Sequence, residues 1–275
     1  MMRKISYIIF LIIKIIDNFF KVLFKKNLII HFKELFEQNL ICEKKINGQK
    51  IFLFIPNYST YWRANSFLTR EPDTIKWIDT FDENLCFWDI GSCVGQFSIY
   101  SSKFKNSDVV SFEPSTSNLR ILSRNIYINN LQEKIKIMPF LLNSNDGFNL
   151  FGENKFIEGG ALNKILQNSS EKNDFENEYN MFGFSINTLV KGNFLRIPNY
   201  IKIDVDGAEY NILQGANIVL DSKDLKSILI EIDIESKNFE NIFQLMKKFG
   251  FQEDKSFEKI MNKNYKKIRN FIFKR

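Results

Sequence analysis

Apolar and polar positions change rhythm along this chain. From Tyr7 to Lys25 almost every position is apolar, and the exceptions Lys14, Asp17, Asn18, Lys21 and Lys25 recur at i, i+3, i+4, i+7 and i+11. That spacing predicts a helix with one narrow polar stripe on an apolar cylinder. From about residue 84, short apolar runs alternate with segments of helical period, the order that builds a parallel sheet. Strands are expected at 85–90, 108–112, 135–142, 200–205 and 227–232. Helices are expected at 96–104, after Ser115 or Thr116 with Leu119, Leu122 and Ile126 inward, from about Gly207 to Gly215, and at 239–249. Segments 251–259 and 265–273 read as a closing antiparallel pair, and the Asn/Glu-rich stretch 163–180 as a mobile loop. The pattern divides the chain into an N-terminal helical arm, 1–60, and an α/β body, 61–275.

Charge sharpens that division. Residues 1–50 hold ten Lys/Arg and four Asp/Glu, which accounts for the whole net charge of +6, so the body is neutral. A neutral body argues against a nucleic-acid-binding face. The leading apolar run is too short to span a bilayer, and no small-residue cleavage site follows it. The arm therefore has two readings: a peripheral membrane contact through residues 1–26, with lysines on anionic headgroups, or a helix packed on the body or on a second subunit. Cys42, Cys86 and Cys93 form no C-x-x-C pair and the lone histidine, His31, lies in the arm. Disulfide frameworks and His-based metal or nucleophile chemistry are therefore not expected, and the cytoplasm is the expected compartment.

The candidate chemistry begins at Asp89-Ile90-Gly91-Ser92-Cys93-Val94-Gly95, between a strand and a helix. Glycines there permit positive φ and close backbone approach, and the helix directs free N–H groups at a ligand. Glu113, at the end of the next strand, is placed to grip ribose hydroxyls, as in dinucleotide folds. The spacing is D-x-G-x-x-x-G rather than G-x-G-x-x-G, with Cys93 where a pyrophosphate-contacting glycine would stand. A ligand with ribose and adenine but no phosphate fits better, and S-adenosylmethionine is such a ligand. Asp89 would meet its ammonium group, directly or through water.

Taken with Thr69-Arg70-Glu71-Pro72-Asp73-Thr74, Trp77, Phe112-Glu113-Pro114, Ile201-Lys202-Ile203-Asp204-Val205-Asp206-Gly207-Ala208-Glu209, Leu213-Gln214-Gly215-Ala216 and Glu231, this loop resembles the FkbM family of methyltransferases from about Tyr61 onward. The resemblance implies a Rossmann-like class I methyltransferase fold, with a mostly parallel seven-stranded sheet, helices on both faces and an antiparallel C-terminal strand. It also implies S-adenosylmethionine-dependent O-methylation of a sugar, glycan or similar small-molecule hydroxyl. Two departures stand out: Ser92-Cys93 replaces the family's Ala-Asn pair, and Asn187 replaces an acid in a T-L-D-x-L-like segment.

A neutral alcohol is a poor nucleophile, so a carboxylate that takes its proton would help. Asp204, Glu209 and Lys202 are the catalytic candidates; Lys202, Asp204 and Asp206 share one side if the strand stays regular. Gly91, Ser92, Gly95, Asp89, Glu113 and Arg70 are the cofactor-binding candidates, Arg70 for a carboxylate of cofactor or acceptor. Nothing in the spacing of these acids compels a metal. The competing readings are a non-catalytic scaffold that binds a partner through the N-terminal helix, and a nicotinamide-dependent oxidoreductase.

Overall fold

The computed structural model describes residues 2–166, 174–258 and 267–275, which fall into two units, Met1–Cys42 and Glu43–Arg275. In the first unit, α1 (Met2–Phe24) is followed by α2 (Leu28–Asn39). Asp17 is buried: its Oδ1 accepts the Ile29 N–H at 2.9 Å and its Oδ2 lies 2.9 Å from Lys21 Nζ. The Ile29 N–H above all, and then Lys21, hold this carboxyl below the usual aspartate range. The expected polar stripe is thus partly internal, because Asp17 takes up a backbone donor that the start of α2 leaves unsatisfied. Most of the apolar surface of α1 stays exposed, Val22 at 81%.

A hairpin follows α2, β1 (Ile41–Ile46) and β2 (Gln49–Phe54), joined by Asn47-Gly48. Asn129 and Asn125 accept the Phe52 and Phe54 N–H groups at 3.0 and 2.7 Å, tying β2 to the body. Next come α3 (Tyr58–Arg70), capped by Asn57, and α4 (Pro72–Asp79), then β3 (Cys86–Ile90), α5 (Gln96–Lys105), β4 (Asp108–Phe112), α6 (Thr116–Ile128) and β5 (Ile135–Met138). Short strands β6 (Leu141–Leu142), β7 (Gly147–Glu153), β8 (Lys164–Ile165) and β9 (Asn177–Phe184) follow. The chain ends with α7 (Ile186–Lys191), β10 (Tyr200–Ile203), α8 (Glu209–Gln214), α9 (Asn217–Asp221), β11 (Ser227–Asp233), α10 (Phe239–Lys248), β12 (Gln252–Glu253) and β13 (Ile268–Lys274).

Among the described residues the main sheet has seven strands, in the order β12-β13-β11-β10-β3-β4-β5. Strands β11, β10, β3, β4 and β5 are mutually parallel, and β13 runs antiparallel to β11 and β12. This is the Rossmann-like methyltransferase fold. Pleat alternation sorts the strand residues by face. Trp88, Ile90, Ile201, Ile203, Ile228 and Ile230 pack with α8, α9 and α10. Asp89, Ser111, Lys202 and Ser227 point the other way, toward α4 and α5, where Ser98 bonds Asp89 and Trp77 bonds Ser227.

Three expectations need correction. The strand expected at 135–142 breaks at Pro139, which has no N–H to continue the ladder, and β6 joins a second sheet of order β6-β9-β7-β8. The polar stretch 163–180 is not a loop throughout: β8 and β9 lie in it, β9 pairing with β7 from Asn177 opposite Glu153, while 167–173 lie outside the described residues. Strand β10 stops at Ile203 instead of 205, because Asp206 and Gly207 adopt φ of 54° and 109° and turn the chain. Asp206 therefore does not continue the Lys202–Asp204 alternation. The expected closing antiparallel pair is present as β12 and β13, while 259–266 lie outside the described residues.

Candidate active site

At the carboxyl ends of β3, β4, β10 and β11 lies a cavity of ≈ 690 Å³, the place where open α/β sheets keep their ligands. Gly91, Ser92, Glu113, Arg70, Lys202 and Asp204 border it. Asp89, Gly95 and Glu209 do not. Asp89 sits one register row deeper, opposite Lys202, fully buried, and its Oδ2 accepts from Ser98 Oγ at 2.6 Å. Burial raises its pKa, against the pull of Lys202. Gly95 starts α5 behind the loop, and Glu209 folds back to accept the Gly207 N–H at 2.8 Å.

Both loop glycines have φ of +80°. At Gly91 a Cβ would lie 1.8 Å from the Asp204 carbonyl oxygen, so the glycine is required by the neighbouring strand end. At Gly95 a Cβ would meet Leu122 at 2.4 Å. Between them Cys93 also takes positive φ, 51°, a region in which asparagine is less strained than cysteine. The family's Asn at this position thus has a backbone reason. The Cys93 thiol is pushed up to about 11 by burial.

Glu113, 5% exposed, accepts the Cys93 N–H through Oε2 and the Ser115 N–H through Oε1, each at 2.8 Å. An ionised carboxylate has about four acceptor positions, so lone pairs remain for ribose hydroxyls. Burial pushes this carboxyl up to about 7 against those N–H groups. Phe140, Leu141 and Leu142 add apolar wall on the same side of the cavity, suited to an adenine ring. The donor set and the apolar wall together fit S-adenosylmethionine.

On the other side stands a charged cluster. Lys202, 1% exposed, holds Asp204 Oδ2 at 2.5 Å and lies 5.0 Å from the Phe97 ring centre. Burial alone would lower the Lys202 pKa, but Asp204 and Glu71 outweigh it and hold it above the ordinary lysine value. Burial likewise opposes Asp204 ionisation, and Lys202 and then Arg70 overcome it, so Asp204 stays below the usual range. Arg70 is ion-paired with Glu71, and its own pKa is raised by Glu71 and then Asp204 against burial. Glu231, from the end of β11, is pushed well upward by burial and by Asp204. Burial brings Asp206 to about 6 and Glu209 to about 7. Among the described residues, no three His, Cys, Asp or Glu side chains are grouped to hold a metal ion.

Some of this wall was not foreseen. Arg63 of α3 borders the cavity, and its Nε donates to the Gly159 carbonyl at 2.8 Å. Asn270 of β13 borders it too. Neither carries a motif, although Asn270 interrupts an apolar strand. Asn187 instead has a structural part: its Oδ1 accepts the Ile218 N–H at 3.0 Å, at the start of α9.

The model of the methyltransferase FkbM domain matches residues 89–253, more than half of the chain, so the segment around Arg70 lies outside the match. Methyltransferase sdnD of Sordaria araneosa is 24% identical over 188 residues, covering 55% of this chain and 72% of that protein. Hexuronic acid methyltransferase AglP of Haloferax volcanii is 23% identical over 195 residues, covering 70% and 76%. Among solved structures, methyltransferase FkbM of Methylobacillus flagellatus KT aligns with a TM-score of 0.47 and 15% identity, over 80% of this chain and 55% of that one. The chain belongs to the FkbM methyltransferase family, and its cofactor is S-adenosylmethionine.

Proposed function

We propose that this methyltransferase acts on a hydroxyl of a sugar, glycan or similar acceptor. The observation that carries the reading is Asp204, a carboxylate kept ionised at the cavity wall by Lys202 at 2.5 Å and by Arg70. When bound, S-adenosylmethionine supplies a methyl carbon on cationic sulfur: the acceptor oxygen forms the new C–O bond, the C–S electron pair stays on sulfur, and the hydroxyl proton must leave. Asp204 takes that proton. Lys202 positions Asp204 and balances its charge, while Glu113 and the Gly91-Ser92 turn hold the nucleoside side. Glu209, turned to the Gly207 N–H, supports the loop that carries Asp206. The relative that acts on hexuronic acid supports a sugar-type acceptor.

Calorimetry with S-adenosylmethionine, S-adenosylhomocysteine and NAD tests the cofactor side, and mass spectrometry of sugar acceptors incubated with the protein tests the transfer. Micromolar binding of the first two ligands and none of NAD is expected. Binding of NAD alone would favour the oxidoreductase reading, and binding of none would favour a scaffold.

The arm adds a location. No helix among the described residues is long and apolar enough to cross a membrane. We infer that α1 lies on an anionic lipid surface: Arg3, Lys4, Lys14, Lys21, Lys25 and Lys26 face a single acid, Asp17, whose carboxylate is already engaged by Lys21 and Ile29. Sedimentation with phosphatidylglycerol vesicles, but not phosphatidylcholine ones, is expected, and the K14E/K25E/K26E variant should stay in the supernatant. Vesicle-independent self-association would assign the surface to a second copy instead.

A further inference from the structure

The far side of the cavity has a feature that the transfer reaction does not by itself require. In the sheet register, Ile203 of β10 faces Ile230 of β11, and Glu231 of β11 faces Asn270 of β13. Asp204 follows Ile203. The three polar residues therefore form one row across three strands, on the same face, because register partners share a side of the pleat. All three border the cavity.

Asn270 is the informative member. It is 7% exposed, and its Nδ2 donates to Asp73 Oδ2 at 2.8 Å and to Thr74 Oγ1 at 3.2 Å, both on α4. Those acceptors fix the orientation of the amide and direct its oxygen away from α4. Among the described residues that oxygen, Oδ1, is buried and accepts no hydrogen bond. A buried acceptor without a partner is costly and uncommon. Asn270 itself borders the cavity, beside two carboxyls in different states: Asp204 held below the usual range by Lys202, Glu231 held toward its protonated form by burial and by Asp204. Glu231 and Asp204 are hydrogen-bonded to each other, so the row offers an acceptor at each end, Asp204 and the Asn270 oxygen, with the Glu231 carboxyl between them. A ligand with one hydroxyl satisfies only one end of it.

Building on the hydroxyl-methylation reading above, we propose that Asp204, Glu231 and Asn270 form the acceptor subsite and that it takes a polyhydroxylated ring. One hydroxyl faces Asp204, and a neighbouring hydroxyl donates to Asn270 Oδ1 beside Glu231. Asp73 and Thr74 are positioning residues, holding the amide. A site built to hydrogen-bond a hydroxyl discriminates strongly against analogues that lack it, since its buried polar groups are then left unpaired.

The test uses the full chain, wild type and the N270L and N270S variants, with S-adenosylmethionine and a panel of methyl glycosides (gluco, galacto, manno and glucuronic) against cyclohexanol. The readouts are methylated product by mass spectrometry and S-adenosylhomocysteine affinity by calorimetry. At least one glycoside should be methylated by the wild type with kcat/KM at least ten times that of cyclohexanol. Both variants should lose at least tenfold in kcat/KM for that glycoside, mainly through KM, with S-adenosylhomocysteine affinity unchanged. The smaller N270S change keeps the test open if N270L fails to fold. Equal use of glycoside and cyclohexanol, unaltered glycoside kinetics in a folded Asn270 variant, or no product from any glycoside despite normal S-adenosylhomocysteine binding would overturn the subsite. Loss of S-adenosylhomocysteine binding by the wild type would instead overturn the cofactor reading on which it rests.

Discussion

Glu113 is both a buried carboxyl and the proposed ribose contact, and the Glu113→Gln variant tests the two together. In the folded chain burial raises this carboxyl from its ordinary 4.5 to about 7, despite two N–H donors at 2.8 Å. A folded-state pKa above the unfolded one means that the native state binds the proton more tightly. The group therefore contributes stability that is fully present below pH 4.5 and is lost as the pH rises through 7. The shift corresponds to about 3 kcal/mol in total, of which roughly 2–3 kcal/mol is lost between pH 5 and 8. Asp206 and Glu209, raised to about 6 and about 7, slope the same way, so the wild type weakens toward neutral pH when no cofactor is bound.

Glutamine presents one carbonyl oxygen and one NH₂ group to the two backbone donors. One N–H is left facing a donor, a pH-independent penalty of about 1–3 kcal/mol. The variant should thus be less stable than wild type at pH 5 and draw level with it by pH 8. Urea unfolding at pH 5, 6, 7 and 8 without cofactor measures the gap. If ribose hydroxyls donate to the ionised carboxylate, S-adenosylhomocysteine affinity of the wild type should also rise with pH, approaching tenfold per unit below pH 7 and levelling above it. The variant should bind weakly with no such rise. Parallel stability curves for the two proteins would refute the reasoning about burial; a pH-independent wild-type affinity would refute the ribose assignment.

Three further outcomes are expected. Cys93→Asn or Cys93→Gly should raise stability by about 1 kcal/mol, because either residue adopts the 51° φ with less strain, and this should appear as a higher Tm in thermal unfolding. Lys202→Met should cost about 3–5 kcal/mol by leaving Asp204 without its buried partner, and the K202M/D204N double variant should recover part of it in a double-mutant cycle. Gly91→Ala should abolish the cooperative unfolding transition, since its Cβ would stand 1.8 Å from the Asp204 carbonyl oxygen at a φ of +80°.

Much of the sheet was legible because its strands are apolar runs with polar ends. The bounds read for 108–112 coincide with β4, and Glu113, just beyond, could be placed against the glycine loop by spacing alone. Depth was harder to read. Asp89 and Asp204 both stand at strand ends, but Asp89 pairs in register with Lys202, one pleat repeat below the row that opens on the cavity. The second sheet was missed because Asn177–Phe184 is largely half-exposed and carries the polar composition of a loop. Arg63 and Asn270 were missed for a different reason. Each is a polar residue turned inward with no sequence pattern to mark it, and only its contact with Gly159 in one case and Asp73 in the other reveals it.

Gly91 shows how a correct signal can have a different cause. Read from sequence, it allows a ligand to approach the backbone. In the structure the closest neighbour of its missing side chain is the backbone of Asp204. The Asp204 N–H also donates to the Ile90 carbonyl at 3.0 Å, so the cofactor loop and the candidate base are joined through adjacent backbone, with no side chain between them. Such a junction leaves little freedom for one to move without the other. Alignment of an acceptor hydroxyl with a methyl donor needs that constraint, because the reaction depends on the relative position of the two groups more than on either alone. In the proposed transfer, the glycine would hold the two halves of the site at a fixed spacing.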